Sequence, residues 1–426
     1  MNHDDDIKKY LRPWKAQLMV NRSDRIECRP KPGIVKYNRV CLTPLGQIYD
    51  DNLRGREGLV FEDTGFCSQI SPASAREYTY KKLIYGGYLR HKWGHFISES
   101  LARIWALNQP EIDEDSKILF FSDSTSLGMP GGNFRQVFEL LGIADRIIIA
   151  DKEILAEELT VPDLGYEHDV FYTKEQSHVY RKIISKALES QPSAEIKYAK
   201  KVFISRAGIP GAVKNAVNLM ELEQYFKDNG FATISPEQIS LIDLIHIMDS
   251  ADTIASIGGT PAHNFVFVNR PDSKHLIIIE RHPCVNDFQI SLNKMTGCQT
   301  INVDAFYLPK AASSQDGIML FAPTPQFCEF AANLNFIKEG HFVDDAKRQR
   351  RRELRKFLSR YRRYWCSGDA LCPWEIYSGQ AIAEAMVASR ERYREWLQDS
   401  LPIMWYDYLT PRALLRMVIS YLRKKL

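Results

Sequence analysis

The sequence predicts an α/β protein whose second half carries a parallel, doubly wound sheet, and three observations predict it. Four short β-rich apolar runs recur there: KVFIS at 201–205, FATI at 231–234, DTIASI at 252–257 and HLIIIE at 275–280. Helical periodicity separates them, near 217–229, over 239–249 and from Pro261 onward. Such alternation buries a parallel sheet between helices. The 426 residues, 45% hydrophobic, 26% charged and 11% aromatic, are those of an ordinary globular chain with length for two or three domains.

Earlier in the chain, residues 33–85 read as short strands broken by Gly and Pro, among them GIVKY at 33–37 and RVCLT at 39–43. At Trp93 the period changes, because Trp93, Ile97, Leu101, Ile104 and Trp105 fall on one helical face. Strand KILFF at 117–121, a helix over 134–141, strand RIIIA at 146–150 and a helix over 174–188 follow. The polar stretch QPSAE at 191–195 marks a boundary, which divides the chain into 1–192, 193–340 and a terminal 341–426. Gly230 ends its helix at the C′ position, and Pro261 opens the next at the first turn. Ligands of doubly wound sheets bind outside the carboxyl ends of the strands. Ser205-Arg206, Ser235-Pro236, Gly258-Gly259 and Glu280-Arg281 occupy those ends.

The net charge of +3 divides unevenly: residues from Lys347 onward carry +10 and those before them −7. The eight cysteines are scattered without metal-finger spacing, the first residues lack the basic start and apolar run of a signal peptide, and no run of 18 apolar residues occurs. A cytoplasmic protein with reduced thiols is the expectation.

His95, Glu99 and Arg103 recur at i, i+4 and i+8, a stripe opposite the apolar face. It is either a solvated face with a Glu–Arg pair or a histidine kept basic by a carboxylate, able to take a proton from a hydroxyl near neutral pH. Arg206 and Lys214 flank a flexible loop after KVFIS, and two cations at a strand end suit a diphosphate, although solvated surface arginines are common. The turn Gly258-Gly259-Thr260-Pro261-Ala262-His263-Asn264 joins backbone freedom to a helix N-terminus. Glu280 could orient a sugar hydroxyl or pair with Arg281 or His282. No metal site is expected. Asp113-Glu114-Asp115 precedes a strand instead of following one, and the ten histidines are dispersed.

Two blocks resemble glycosyltransferase family 61, which includes capsular polysaccharide biosynthesis proteins. The first is Trp93-Gly94-His95-Phe96-Ile97-Ser98-Glu99 with Leu101, Arg103 and Leu107. The second runs from Phe203-Ile204-Ser205-Arg206 through Asn218, Glu221, Gly230-Phe231, Ser240-Leu241, Ala251-Asp252 and Gly259 to Asn264-Phe265 and Glu280. Gly258 and Thr260 depart from the family's His-Gly-Ala turn, with His263 five residues on. The loop after Arg206 is longer than usual, and Lys214 stands near a family arginine.

The resemblance implies a GT-B-like architecture: two facing Rossmann-like domains with the nucleotide sugar on the second and the acceptor on the first, plus a basic helical extension. It implies inversion without an essential metal or other cofactor. His95, supported by Glu99, is then the base. Arg206, Lys214, Asn218, Gly258, Gly259, Thr260, His263, Asn264 and Glu280 are the donor side, and Arg103 binds acceptor or pairs with Glu99. The implied partners are a nucleotide sugar, UDP-linked by expectation, and a lipid-linked or growing glycan of capsule or lipopolysaccharide. The tail, with ten Lys or Arg against one Glu over 347–363, reads as amphipathic helices, either packed on the core or docked at an anionic membrane surface on its inner face. A degenerate relative that binds nucleotide or glycan without turnover is the alternative. Nucleic-acid binding fits the charge but lacks a base-reading fold, so no nucleic-acid partner is expected.

Overall fold

The computed structural model of the chain describes residues 9–42, 48–50, 80–122, 130–209, 216–281, 285–306, 319–321 and 323–336. Lys214 and the basic tail, 341–426, lie outside the described residues. In chain order the elements are α1 (Pro13–Arg25), β1 (Glu27–Arg29), β2 (Ile34–Leu42), β3 (Ile48–Asp50), β4 (Tyr80–Leu89), β5 (Lys117–Ser122), α2 (Asn133–Leu141), β6 (Ile147–Ala150), β7 (Ile154–Pro162), β8 (Tyr166–Glu167), β9 (Phe171–Thr173) and α3 (Lys174–Glu189). There follow β10 (Lys201–Ile204), β11 (Ala216–Val217), α4 (Leu219–Asp228), β12 (Ala232–Ile234), α5 (Leu241–Ser250), β13 (Thr253–Ile257), α6 (Thr260–His263), β14 (His275–Glu280), α7 (Asp287–Thr296), β15 (Thr300–Asp304), β16 (Met319–Leu320) and α8 (Pro325–Asn333).

The fold is mixed α/β. The second half holds the expected sheet, with strands in the order β12-β10-β13-β14-β15, all parallel. Numbered by appearance this is 2-1-3-4-5, a doubly wound order whose ligand crevice lies at the switch beside the first strand. Both of its faces are covered, which is why Leu276–Ile279 reads as an unbroken apolar run. β15 and α7 complete it, although their weaker apolar pattern left them out of the sequence reading. The first half holds a six-stranded sheet in the order β3-β2-β7-β4-β5-β6. Its β4, β5 and β6 are parallel, whereas β2 runs antiparallel to β7 and β3.

Helix ends follow local chemistry. Thr173, Ser240, Asn286 and Thr324 each accept a backbone N–H with the side chain at a helix N-terminus, and Gly142 and Gly297 take positive φ at helix C-termini. Packing then joins the halves. One apolar core includes Phe96, Trp105 and Phe138 from the first half, Tyr180 and Ile183 of α3, and Ile254, Phe265 and Leu292 from the second. Separate clusters cover the outer faces, around Phe203 and Phe226 on one side and Tyr85 and Phe121 on the other.

The expected helix from Trp93 is not continuous. A single turn at Trp93–His95 passes into a π-helical turn at Phe96–Ser100, and a 3-10 segment follows at Ile104–Asn108. Such a widened turn re-aims side chains that an α-helix would stack.

The N-terminal segment departs from its expected place. α1 packs against α7, and the Tyr10 carbonyl accepts the Asp304 N–H at the end of β15. Lys15, with no solvent exposure, lies 2.8 Å from Glu280 Oε2 and 3.4 Å from Asp304 Oδ1, and Arg12 lies 3.6 Å from Asp304 Oδ2. Two buried cations thus balance two buried carboxylates. Among the described residues no helix is long and apolar enough to cross a membrane. Lys15→Met, which takes the buried cation from Glu280 and leaves Asp304 with Arg12, is expected to lower stability by about 3–5 kcal/mol in urea unfolding.

Candidate active site

The parallel strand β4 ends at Leu89, and the next residues carry the site. His95 Nδ1 donates to Glu99 Oε1 at 2.6 Å, and Arg90 Nε donates to the other carboxylate oxygen at 2.9 Å. Burial alone would raise the Glu99 carboxyl, but the hydrogen bond and charge of His95 and the charge of Arg90 outweigh it and hold the group below its ordinary range. An ionised carboxylate on Nδ1 leaves Nε2 as the acceptor nitrogen of the neutral ring. The His95 side chain is 39% exposed, so the ring can meet a hydroxyl from outside.

Arg103 is not the partner of this carboxylate. The broken helix turns it inward, where it is 6% exposed, lies over the Tyr85 ring and donates to the Pro162 carbonyl. The i, i+8 stripe required a regular helix, and the π-helical turn removes that register. Arg90 takes the place that the spacing offered Arg103.

The two motif blocks meet in space. Trp93 Nε1 donates to Asn264 Oδ1 at 2.8 Å. A Cβ on Gly94 would stand 2.9 Å from His263 Cδ2, so only glycine allows the turn at Trp93–His95 to seat on α6. His263 itself is 6% exposed, and its Nδ1 donates to Gln289 Oε1 at 2.9 Å. Burial lowers its pKa to about 4, with Arg281 and His95 lowering it further and Gln289 opposing. His263 is therefore a neutral packing surface.

On the second sheet, Gly259 takes φ +105°, and a Cβ there would stand 2.7 Å from Arg281 Nη2. Arg281, the residue after β14, thus covers the glycine turn at the end of β13. Glu280 does not reach the ligand edge: it is 5% exposed, with Lys15 on one oxygen and Asn302 Nδ2 donating to the other at 2.6 Å. Lys15 is 265 residues away in sequence, beyond any local spacing signal. Asn218 is likewise internal: it precedes α4 at φ +66° and its side chain donates to the Phe321 carbonyl at 2.9 Å. Arg206 is half-buried beside Ser205, whose hydroxyl donates to Glu223 and accepts the Ala207 N–H at 2.8 Å.

A cavity of about 680 Å³ opens at the carboxyl ends of β10 and β12 and at α6. Ser205, Glu237 and Thr260 line it from the second half, Trp93 and Phe134 from the first. Gly258 is buried, and a Cβ there would stand 3.6 Å from Glu280 Oε2. Asn133 Nδ2 ties the two walls by donating to the Pro236 and Ile239 carbonyls at 3.2 and 3.1 Å. This volume suits a ligand of nucleotide size. Among the described residues, no three His, Cys, Asp or Glu side chains are grouped to hold a metal ion.

A doubly wound sheet with a cavity at the carboxyl ends of its strands, and a histidine–carboxylate pair that follows Trp93 of the cavity wall, has the parts of a group-transfer enzyme. Residues 93–275 match the model of the family described as Glycosyltransferase 61. That span contains the first motif block, the second as far as Asn264-Phe265, and the cavity wall, and the match supports an assignment to glycosyltransferase family 61. Comparison with curated proteins gives no match.

The folded state keeps His263 uncharged while an unfolded chain protonates it near its ordinary 6.5, so this contribution to stability is complete above about pH 6.5 and is lost as pH falls toward about 4. The full contribution is about 3 kcal/mol. Wild type is expected to lose more stability than His263→Gln between pH 7 and pH 5 in parallel denaturant titrations.

Proposed function

We propose that the protein is an inverting glycosyltransferase of GT-B-like arrangement that takes its sugar from a nucleotide-linked donor held in the cavity between the two sheets. The His95–Glu99 pair, joined at 2.6 Å two residues after the cavity-lining Trp93, carries the reading. His95 Nε2 accepts the proton of an acceptor hydroxyl, and the freed oxygen attacks the anomeric carbon from the face opposite the leaving group. The bond from that carbon to the nucleotide diphosphate breaks, its electron pair leaving on the phosphate oxygen. Glu99 stabilises the imidazolium that forms, as a carboxylate does in other histidine-centred sites.

Arg206 and Arg281 are the cations proposed to meet the departing diphosphate, with Gly259 and Thr260 at the start of α6, and Lys214 is proposed as a third. Trp93 and Asn264 set the wall near the sugar. Charge neutralisation by side chains in place of a divalent ion implies turnover that survives EDTA. The acceptor class proposed is a lipid-linked or growing glycan of capsule or lipopolysaccharide type, with the basic tail docking at an anionic membrane surface. The acidic body and basic end of the sequence support that orientation.

With a panel of UDP-sugars and EDTA present, His95→Ala is expected to lower donor turnover by about 100- to 10,000-fold, the range of a lost general base. Glu99→Gln should lower kcat with a smaller change in KM. Undiminished turnover in a folded His95→Ala protein would remove the base from this assignment.

A further inference from the structure

We propose that Phe288 is a positioning residue for His95: supplied by the second half of the chain, it fixes the tilt of the imidazole whose Nδ1 is held by Glu99. The proposal rests on the reading of His95 as the base, and it adds a residue of the opposite half to that site.

A single hydrogen bond fixes one ring atom. About the Nδ1–Oε1 direction the imidazole can still swing, and its 39% exposure leaves room to do so. A swing would carry Nε2 away from the acceptor hydroxyl, and misplacement of about 1 Å can cost two orders of magnitude in rate. The contact that limits the swing is the Phe288 ring, which meets the His95 ring at 5.3 Å between centroids and 77° between planes. Edge-to-face packing of this kind prefers one relative orientation.

Phe288 is itself held. Its ring stacks on His168 at 4.3 Å and 11°, and the His263 ring lies at 6.1 Å. Phe288 therefore sits among three imidazoles. The first turn of α7 that presents it is anchored three times. Asn286 accepts the Gln289 N–H with its side chain, Gln289 accepts from His263 Nδ1, and Asp287 pairs with Arg22 of α1. Arg22 also lies 3.8 Å from Asp169, the residue after His168. One arginine thus ties the segments on both sides of the Phe288–His168 stack.

The consequence is functional. His95 and Glu99 follow β4 of the first sheet, whereas Phe288 belongs to α7 of the second. The base is aimed only when the two halves are seated on each other, which is also the condition for a donor cavity walled by both.

The test is side-chain relaxation of the full chain labelled with 13Cε1-histidine, the His95 signal being assigned with His95→Gln. No donor is needed, so the result is independent of whether the glycosyl-transfer reading holds. In wild type the His95 ring is expected to be rigid, with an order parameter near 0.85, and in Phe288→Ala to fall below about 0.6. Phe288→Tyr should restore rigidity, and an unchanged His263 signal reports an intact fold. Should Phe288→Ala fail to fold, Phe288→Leu, which keeps an apolar side chain but loses the aromatic edge, gives the same readout. A His95 ring that stays rigid in the folded alanine or leucine variant overturns the proposal.

Discussion

The contact on which the rest depends is Gly94 against His263. Because a methyl group at residue 94 would stand 2.9 Å from the imidazole, the turn that carries His95 can approach α6 only with no side chain there. That approach brings Trp93 to Asn264, where both line the cavity, and His95 meets Phe288 of α7. The chain uses a second histidine as a surface, and burial keeps it uncharged there, which avoids a cation beside the candidate base. Geometry and electrostatics at this joint therefore serve the same end.

Charges elsewhere in the interior are handled by pairing. Glu280 and Asp304 at the carboxyl edge of the second sheet are matched by Lys15 and Arg12, delivered by the N-terminal segment. The cluster puts no net charge under the glycine turn. Above that turn lies Arg281, the residue after β14. In this way α1 acts as part of the second half although it is first in sequence. Its Arg22 reaches on to Asp169 and Asp287, so the same helix that neutralises the floor of the site also braces its side.

Much of this was legible in the sequence, for identifiable reasons. Runs such as HLIIIE are buried on both faces and announce a parallel strand without any partner information, and Gly230 and Pro261 mark helix ends by their own conformational preferences. The pairing of His95 with Glu99 was readable because four residues span one turn even where the helix widens. The i, i+8 extension to Arg103 failed because it assumed a regular helix through the π-helical turn. Contacts of long sequence separation, Lys15 to Glu280 and Phe288 to His95, leave no local pattern at all. They could be found only once the sheet order was known.

The central claim is that the cavity shared by the two halves receives a nucleotide whose diphosphate lies at the Arg206 end of β10. Its most direct measurement is the thermal shift of the purified chain with UDP, GDP, CMP and UDP-sugars in the presence of EDTA, beside Arg206→Ala. Stabilisation by one nucleotide family that persists with EDTA and is lost in the variant is the predicted result. No stabilisation by any nucleotide, or stabilisation that the variant keeps in full, would contradict the claim.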